Sequence, residues 1–255
     1  MPIRYERRDA VSEIVLDRPG KLNALGLDDV AALREAFDRA AAEGARAVLL
    51  RAEGRAFCVG RDLTGLSDDE DVTQTLRAHF NQLIRTIQAC GIPTVAAVQG
   101  PCVGAGTGLA LACDVVVAAE SATFASPFGR LGGIPDSGFH WFVTTRLGPA
   151  LAKDMVLTGR ELSGEQAAAA GLVARCVADA QLVTAARALA AGVAAGPTTA
   201  FGLSLAIVDD VAAGTSLDDV LEAEAVGQGR AFGTADFAEG RAAFLDKRPP
   251  TFSGR

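Results

Sequence analysis

Gly100-Pro101-Cys102-Val103-Gly104-Ala105-Gly106-Thr107-Gly108 is a glycine-rich turn that follows the apolar run Thr94 to Val98 and feeds an apolar helix predicted from Leu109 to Cys113. Such a turn leaves main-chain N–H groups unpaired at the positive end of a helix, where negative charge is accepted. Its glycine spacing lacks the Gly-x-Gly-x-x-Gly of a dinucleotide site, and the Gly-Lys-Ser/Thr of a phosphate loop is missing. Two readings remain from these residues: tight helix–strand packing with no ligand, or an oxyanion hole in which amides face a carbonyl oxygen that gains charge during reaction. The five cysteines (Cys58, Cys90, Cys102, Cys113 and Cys176) include no Cys-x-x-Cys pair. They are expected to be buried free thiols, with no metal site and no disulfide framework. Neither histidine, His79 or His140, forms a legible Ser-His-Asp arrangement.

The elements that must hold this turn read as α/β. Ile14 to Leu16 is a short strand ended by Asp17-Arg18-Pro19-Gly20, and Asp28 to Glu43 is an amphipathic helix stopped by Gly44. Ala47 to Leu50, Thr94 to Val98 and Asp114 to Ala118 are continuous apolar runs, as expected of strands covered on both faces. Ala56 to Val59 reads as a further strand-like run. Gly65 to Asp71, acidic and Gly/Ser-containing, reads as a mobile loop. Leu76, Phe80, Leu83, Ile84 and Ile87 line one helix face that ends at Gly91-Ile92-Pro93. Beyond about residue 150 the pattern is helical: Glu161 to Ala170, Ala180 to Ala195 and, after Gly196-Pro197, a tail from Leu217 to Leu245.

Composition narrows the function. The chain has 255 residues and a net charge of −7. A basic face for nucleic acid is not expected, and an anionic ligand must find its cations locally. Met1 to Arg8 lacks the apolar stretch of a signal peptide, and each apolar run is broken before 18 residues, so a cytoplasmic protein without a membrane span is expected.

Four segments resemble the enoyl-CoA hydratase/isomerase (crotonase) superfamily in order and spacing. Leu16-Asp17-Arg18-Pro19-Gly20-Lys21-Leu22-Asn23-Ala24-Leu25 resembles its N-terminal signature, and Ala56-Phe57-Cys58-Val59-Gly60-Arg61-Asp62-Leu63 its first oxyanion-hole segment. Val98 to Asp114 resembles the second, and Glu239 to Arg248 the C-terminal helix. The resemblance implies a spiral of ββα turns over residues 1–195 that binds acyl-CoA, and a helical region over 196–255 that assembles a homotrimer or a dimer of trimers. It implies an oxyanion hole made by the amides of Arg61 and Ala105. It places coenzyme A, as part of the substrate and with no separate cofactor, near Lys21, Leu22, Ala24, Arg61, Asp62 and Leu63. Phe244 and Lys247, from this or an adjacent subunit, approach the adenine end.

Hydratases of this family carry two glutamates where this chain has Gly108 and Phe128, neither of which can move a proton. Asp136, in Gly133-Ile134-Pro135-Asp136-Ser137-Gly138, stands where double-bond-shifting members carry an aspartate. Leu131 to Gly148 most resembles the ring 1,2-epoxyphenylacetyl-CoA isomerase branch, with Phe139 and His140 as departures. The implied reaction is isomerisation of an enoyl-CoA with Asp136 as acid and base, in an acyl pocket of Phe80, Phe128, Leu131, Phe139 and His140. By sequence alone Asp136 also suits a helix N-cap, and His140 a packing or surface role. The alternatives are another crotonase activity, an atypical hydratase or thioester hydrolase, or a non-catalytic acyl-CoA- or RNA-binding homologue. A carboxylate among Phe128, Phe139 and Trp141 would be poorly solvated and therefore more basic.

Overall fold

The computed structural model describes residues 2–67 and 69–255. An antiparallel pair, β1 (Ile3–Arg8) and β2 (Val11–Leu16), is followed by a 3₁₀ turn at Pro19–Lys21, α1 (Leu27–Ala42) and β3 (Ala47–Ala52). The helix α2 (Val72–Thr75) passes through a π turn, Leu76–Phe80, into α3 (Asn81–Gln88). Then come β4 (Thr94–Val98), β5 (Pro101–Val103), α4 (Ala105–Leu111), β6 (Val115–Ala119) and β7 (Thr123–Ala125). Next are α5 (Phe139–Thr158), β8 (Leu162–Ser163), α6 (Gly164–Ala170), β9 (Arg175–Val177) and α7 (Leu182–Ala194). Three helices close the chain, α8 (Thr198–Ala212), α9 (Leu217–Phe232) and α10 (Ala235–Asp246).

The strands make two sheets, one ordered β1-β2-β3-β4-β6-β9 and one ordered β5-β7-β8. Successive turns of chain give one strand to each: β4 then β5, β6 then β7, and β8 then β9. That is the expected α/β spiral. The apolar runs have the predicted cause. In β3, Val48 and Leu50 face one core with Phe37 and Leu83, while Ala47 and Leu49 face a second core against α7. Ala96 and Val98 of β4 likewise oppose Val95 and Ala97. A sheet covered on both faces has no polar side, so its strands lose the usual alternation.

One charge cluster lies inside this stack. Glu13 of β2 is fully buried and bonded by Arg51 of β3 and by Arg187 of α7, the latter at 2.7 and 3.0 Å. Burial alone would raise its pKa, but the two guanidiniums overcome this and hold it at about 2. A carboxylate whose folded pKa is depressed contributes stability above its unfolded pKa and loses it as pH falls toward the folded value. Stability should therefore fall between about pH 4.5 and 2. Glu13→Ala, which removes the buried partner shared by Arg8, Arg51 and Arg187, is expected to cost about 3–5 kcal/mol at neutral pH, measured by urea denaturation.

Several boundaries differ from the sequence expectations for physical reasons. Ala56 to Val59 is not a strand; only Cys58 makes a bridge, to Cys102, because Gly54 and Gly60 turn the chain at either side. The helix predicted from Leu109 begins at Ala105, since Gly104 at φ 57° supplies the turn and the glycines pack within the helix. The predicted loop from Gly65 to Asp71 contains the end of a 3₁₀ turn, Leu63–Gly65, and its Asp68 lies outside the described residues, as does Met1. The single helical tail is two helices broken at Gly233, preceded by α8.

Candidate active site

The site is built where two turns meet. Residues 22–25 run beside 59–62, with Leu25 N donating to Gly60 O at 2.8 Å and Asp62 N to Leu25 O at 2.9 Å. Asn23 fixes this loop. It adopts φ 57°, its Nδ2 donates to the carbonyls of Glu53 and Ala56, and its Oδ1 accepts from Arg18 N. Sequence reasoning did not single out Asn23; its signal is an amide-bearing residue in a turn that needs positive φ.

The segment ending at Gly60 also lies along β5, with Val103 N donating to Cys58 O at 2.9 Å. Gly60 has φ 90°, and a Cβ there would fall 3.0 Å from Val103 O and 3.3 Å from Ala105 N. The amide after Gly60 is that of Arg61. The amides of Arg61 and Ala105 are thus brought together, and neither donates a hydrogen bond among the described residues. Gly106 makes this approach possible, because a Cβ at that position would overlap Cys58 O and come within 2.9 Å of Cys58 Cβ. Two free amides on adjoining turns, one opening a helix, suit an oxygen carrying negative charge.

Asp136 does not cap a helix. The residue before α5 is Gly138 at φ 80°, without a side-chain cap, and Phe139 N bonds instead to the main-chain oxygen of Asp136 at 3.0 Å. The turn is left-handed at Ser137 as well, at φ 53°. Its main chain packs on α4, where a Cβ on Gly108 would overlap Ser137 O and come within 2.9 Å of Ser137 Cβ. Gly108 therefore lets the Asp136 turn sit against the helix that starts at Ala105. The Asp136 carboxylate is half-buried and accepts from Ser137 Oγ at 2.9 Å. Burial raises its pKa; the Ser137 bond and the charges of Arg61 and His140 oppose this without cancelling it.

The pocket residues distribute unevenly. Phe80 is buried beneath the Arg61 guanidinium, and the Phe128 ring lies against Gly104 at the start of α4, 3.2 Å from a Cβ there. Phe139 and His140 line a cavity of about 420 Å³ with Val143, Ala152 and Val156. Leu131 is 67% exposed and does not close a pocket. Trp141 does not join the aromatic surround expected for Asp136. It is half exposed and lines a different cavity, about 610 Å³, with Arg146 and residues of α8. This follows from helix geometry, since adjacent residues of a helix point to different faces.

At the other end, Lys21 Nζ bonds Asp62 at 2.8 Å and Thr64 Oγ1 at 3.2 Å. Lys21 and Thr64 hold the Asp62 carboxyl well below the usual carboxylate range. Lys21, Leu22, Ala24, Arg61, Asp62 and Leu63 form one cluster. Phe244 and Lys247 lie at the end of α10, Phe244 fully extended into solvent at 83% exposure, and no hydrogen bond or ion pair among the described residues joins them to that cluster.

The thiols are poor nucleophiles. Burial pushes Cys58 up to about 12 and Cys90 up to about 11, and all five cysteines are free. Among the described residues no group of three or more His, Cys, Asp or Glu could hold a metal ion.

Residues 6–255 match the family described as enoyl-CoA hydratase/isomerase. A Rhodobacter capsulatus protein named "Probable enoyl-CoA hydratase" is 42% identical over 99% of this chain and 98% of its own length. The 1,2-epoxyphenylacetyl-CoA isomerase of Escherichia coli is 36% identical over 96% of this chain and 95% of its own. The crystal structure of an enoyl-CoA hydratase from Bacillus anthracis superposes with a TM-score of 0.93 at 28% identity, covering both chains completely.

Proposed function

Because the chain belongs to the enoyl-CoA hydratase/isomerase family, we propose that it shifts the double bond of an acyl-CoA, converting a 3-enoyl thioester to its 2-enoyl isomer with Asp136 as base and acid. The observation that carries this reading is the Asp136 turn, which is seated through Ser137 on Gly108 of the helix opening at Ala105 and holds a partly desolvated carboxylate.

The thioester oxygen sits at the amides of Arg61 and Ala105. The Asp136 carboxylate removes a proton from C2, and the C2–H electrons delocalise onto the thioester oxygen, giving a dienolate whose negative charge the amides stabilise. Asp136, now neutral, returns the proton to C4; the C3–C4 double bond becomes C2–C3 and the carboxylate is regenerated. No water takes part. Desolvation serves this step, because a raised proton affinity brings the aspartate nearer to a weakly acidic carbon. Lys21 and the Arg61–Leu63 main chain hold coenzyme A.

A hydratase reading is favoured by the name of the Rhodobacter relative. It needs two acid–base groups around a water, and Gly108 and Phe128 supply neither. Incubation of 3-enoyl-CoA in heavy-oxygen water, with mass detection, separates the two. Isomerisation yields product without solvent oxygen, and label in a 3-hydroxyacyl product would overturn the assignment. The pH profile gives a second check. Activity requires ionised Asp136, so kcat/KM should rise with pH along an acidic limb lying above the ordinary aspartate value of about 3.9.

Assembly is part of the same reading. Val208, Val211, Leu217, Leu221, Val226 and Phe232 are exposed along α8 and α9. Apolar surface of this extent suits burial in a homotrimer or dimer of trimers, which sedimentation velocity would detect. Among the described residues no single helix is long and apolar enough to cross a membrane.

A further inference from the structure

Phe128 stands at one of the two positions that carry glutamate in hydratases of the family, and its ring spans two turns of the site. A Cβ on Gly104, the residue before the Ala105 amide, would fall 3.2 Å from ring carbon Cε2. A Cβ on Gly133, in the segment that leads to Asp136, would fall 3.3 Å from ring carbon Cδ1. Cε2 and Cδ1 are opposite corners of a phenyl ring, so one diagonal of Phe128 reaches from the oxyanion turn to the acid turn. Both distances are shorter than ordinary contact between carbon atoms, and a side chain on either neighbour would crowd the ring. Gly104 also needs glycine for its backbone, at φ 57°, whereas Gly133 has no positive φ and its missing Cβ serves the ring. The main chain of Phe128 is held independently of the ring. Pro127 opens the 3₁₀ turn Pro127–Leu131, Gly132 closes it at φ 71°, and Gly133 N donates to Phe128 O at 3.0 Å.

We propose that Phe128 is a positioning residue of the isomerase, a wedge that sets the spacing between the oxyanion turn and the acid turn and keeps water out of the gap. The proposal rests on Asp136 being the proton carrier. A hydratase needs a carboxylate at residue 128 to hold its water; a phenyl ring offers that water no hydrogen bond and fills the space. The consequence for the reaction is specific. The C2–H bond breaks as an O–H bond forms on Asp136, and that bond breaks in turn as C4–H forms. Between the two transfers the proton resides on the acid, where any water that reached it would exchange it. Excluding water prevents this leakage, so the hydrogen taken from C2 is the one delivered to C4. Fixed spacing matters as well, because both carbons must stay within reach of one carboxylate while the amides hold the oxygen.

The test follows the hydrogen. A 3-enoyl-CoA carrying two deuteriums at C2 is isomerised by the full-length protein in ordinary water, and the 2-enoyl product is analysed by mass spectrometry at low conversion. Direct transfer leaves both deuteriums in the product, one at C2 and one at C4; exchange on the acid leaves only the first. The parent is expected to give chiefly doubly labelled product. Phe128→Ala should give chiefly singly labelled product with kcat lowered about 10–100-fold, and Phe128→Leu, which refills the apolar space, should recover both. Gly133→Ala keeps the ring but crowds it, and should move both readouts the same way by less. Coenzyme A binding by calorimetry should match the parent, which excludes a general collapse of the site; if Phe128→Ala fails that check, Gly133→Ala decides. A merely structural role would lower kcat and leave the label alone. Double labelling as high in the folded variants as in the parent overturns the proposal, as does loss of the second deuterium in the parent. Failure of the underlying reading looks different: no isomer from the parent, or full activity in Asp136→Asn.

Discussion

Asp136→Asn is expected to lower kcat for 3-enoyl-CoA isomerisation by about 10²–10⁴, the range for removal of a positioned general acid–base. Coenzyme A affinity should persist, since Lys21, Asp62 and the Arg61 turn form a separate cluster. The melting temperature should hold or rise. A buried aspartate with a raised pKa binds its proton more tightly folded than unfolded, so its ionisation weakens the fold as pH rises through the folded value. The neutral amide removes that cost and keeps the Ser137 Oγ contact through its own oxygen. Loss of activity with an unchanged or higher melting temperature would separate chemistry from stability. Retention of activity within tenfold of the parent would remove Asp136 from the mechanism.

Gly108→Glu has the second large effect, and in a direction that family logic alone would miss. The substitution restores the first of the two glutamates of a hydratase, yet the space of its Cβ is already taken by the Ser137 main chain. Main chain cannot rotate away as a long side chain can, so either α4 or the Asp136 turn must move. Overpacking of this kind costs about 1–3 kcal/mol. In a chain of this size that lowers the melting temperature by about 2–4 °C for each kcal/mol. Isomerase activity should fall with it, because α4 carries the Ala105 amide on one side of the clash and Asp136 lies on the other. No hydration should appear. Calorimetry and product analysis check the two halves independently, and a stable variant that hydrates 2-enoyl-CoA would show that the Ser137 turn is not the obstacle.

Why Gly108 cannot be exchanged shows where local reading stops. The glycine-rich segment announced itself through composition, and its capacity for negative charge followed from elementary helix physics. What each glycine is for did not. Gly106 meets Cys58 and Gly108 meets Ser137, contacts that join residues 48 and 29 positions apart in the chain. Likewise Pro-Asp-Ser-Gly reads as a cap from spacing, and only the left-handed turn at Ser137 and Gly138 frees the carboxylate.

The linear order of residues settled what repeats locally: the apolar runs that had to be strands covered on both faces, the helix stops at glycine, the missing glutamates at 108 and 128, and the family to which the chain belongs. Those properties depend on near neighbours and on side-chain type. Folding decided the rest. It set the meeting of the Arg61 and Ala105 amides, the burial of Asp136, the turning away of Trp141 and the Arg61–Glu70 bond. Each of these depends on the distance between segments far apart in sequence and on the solvent that packing excludes. No window of residues carries either quantity.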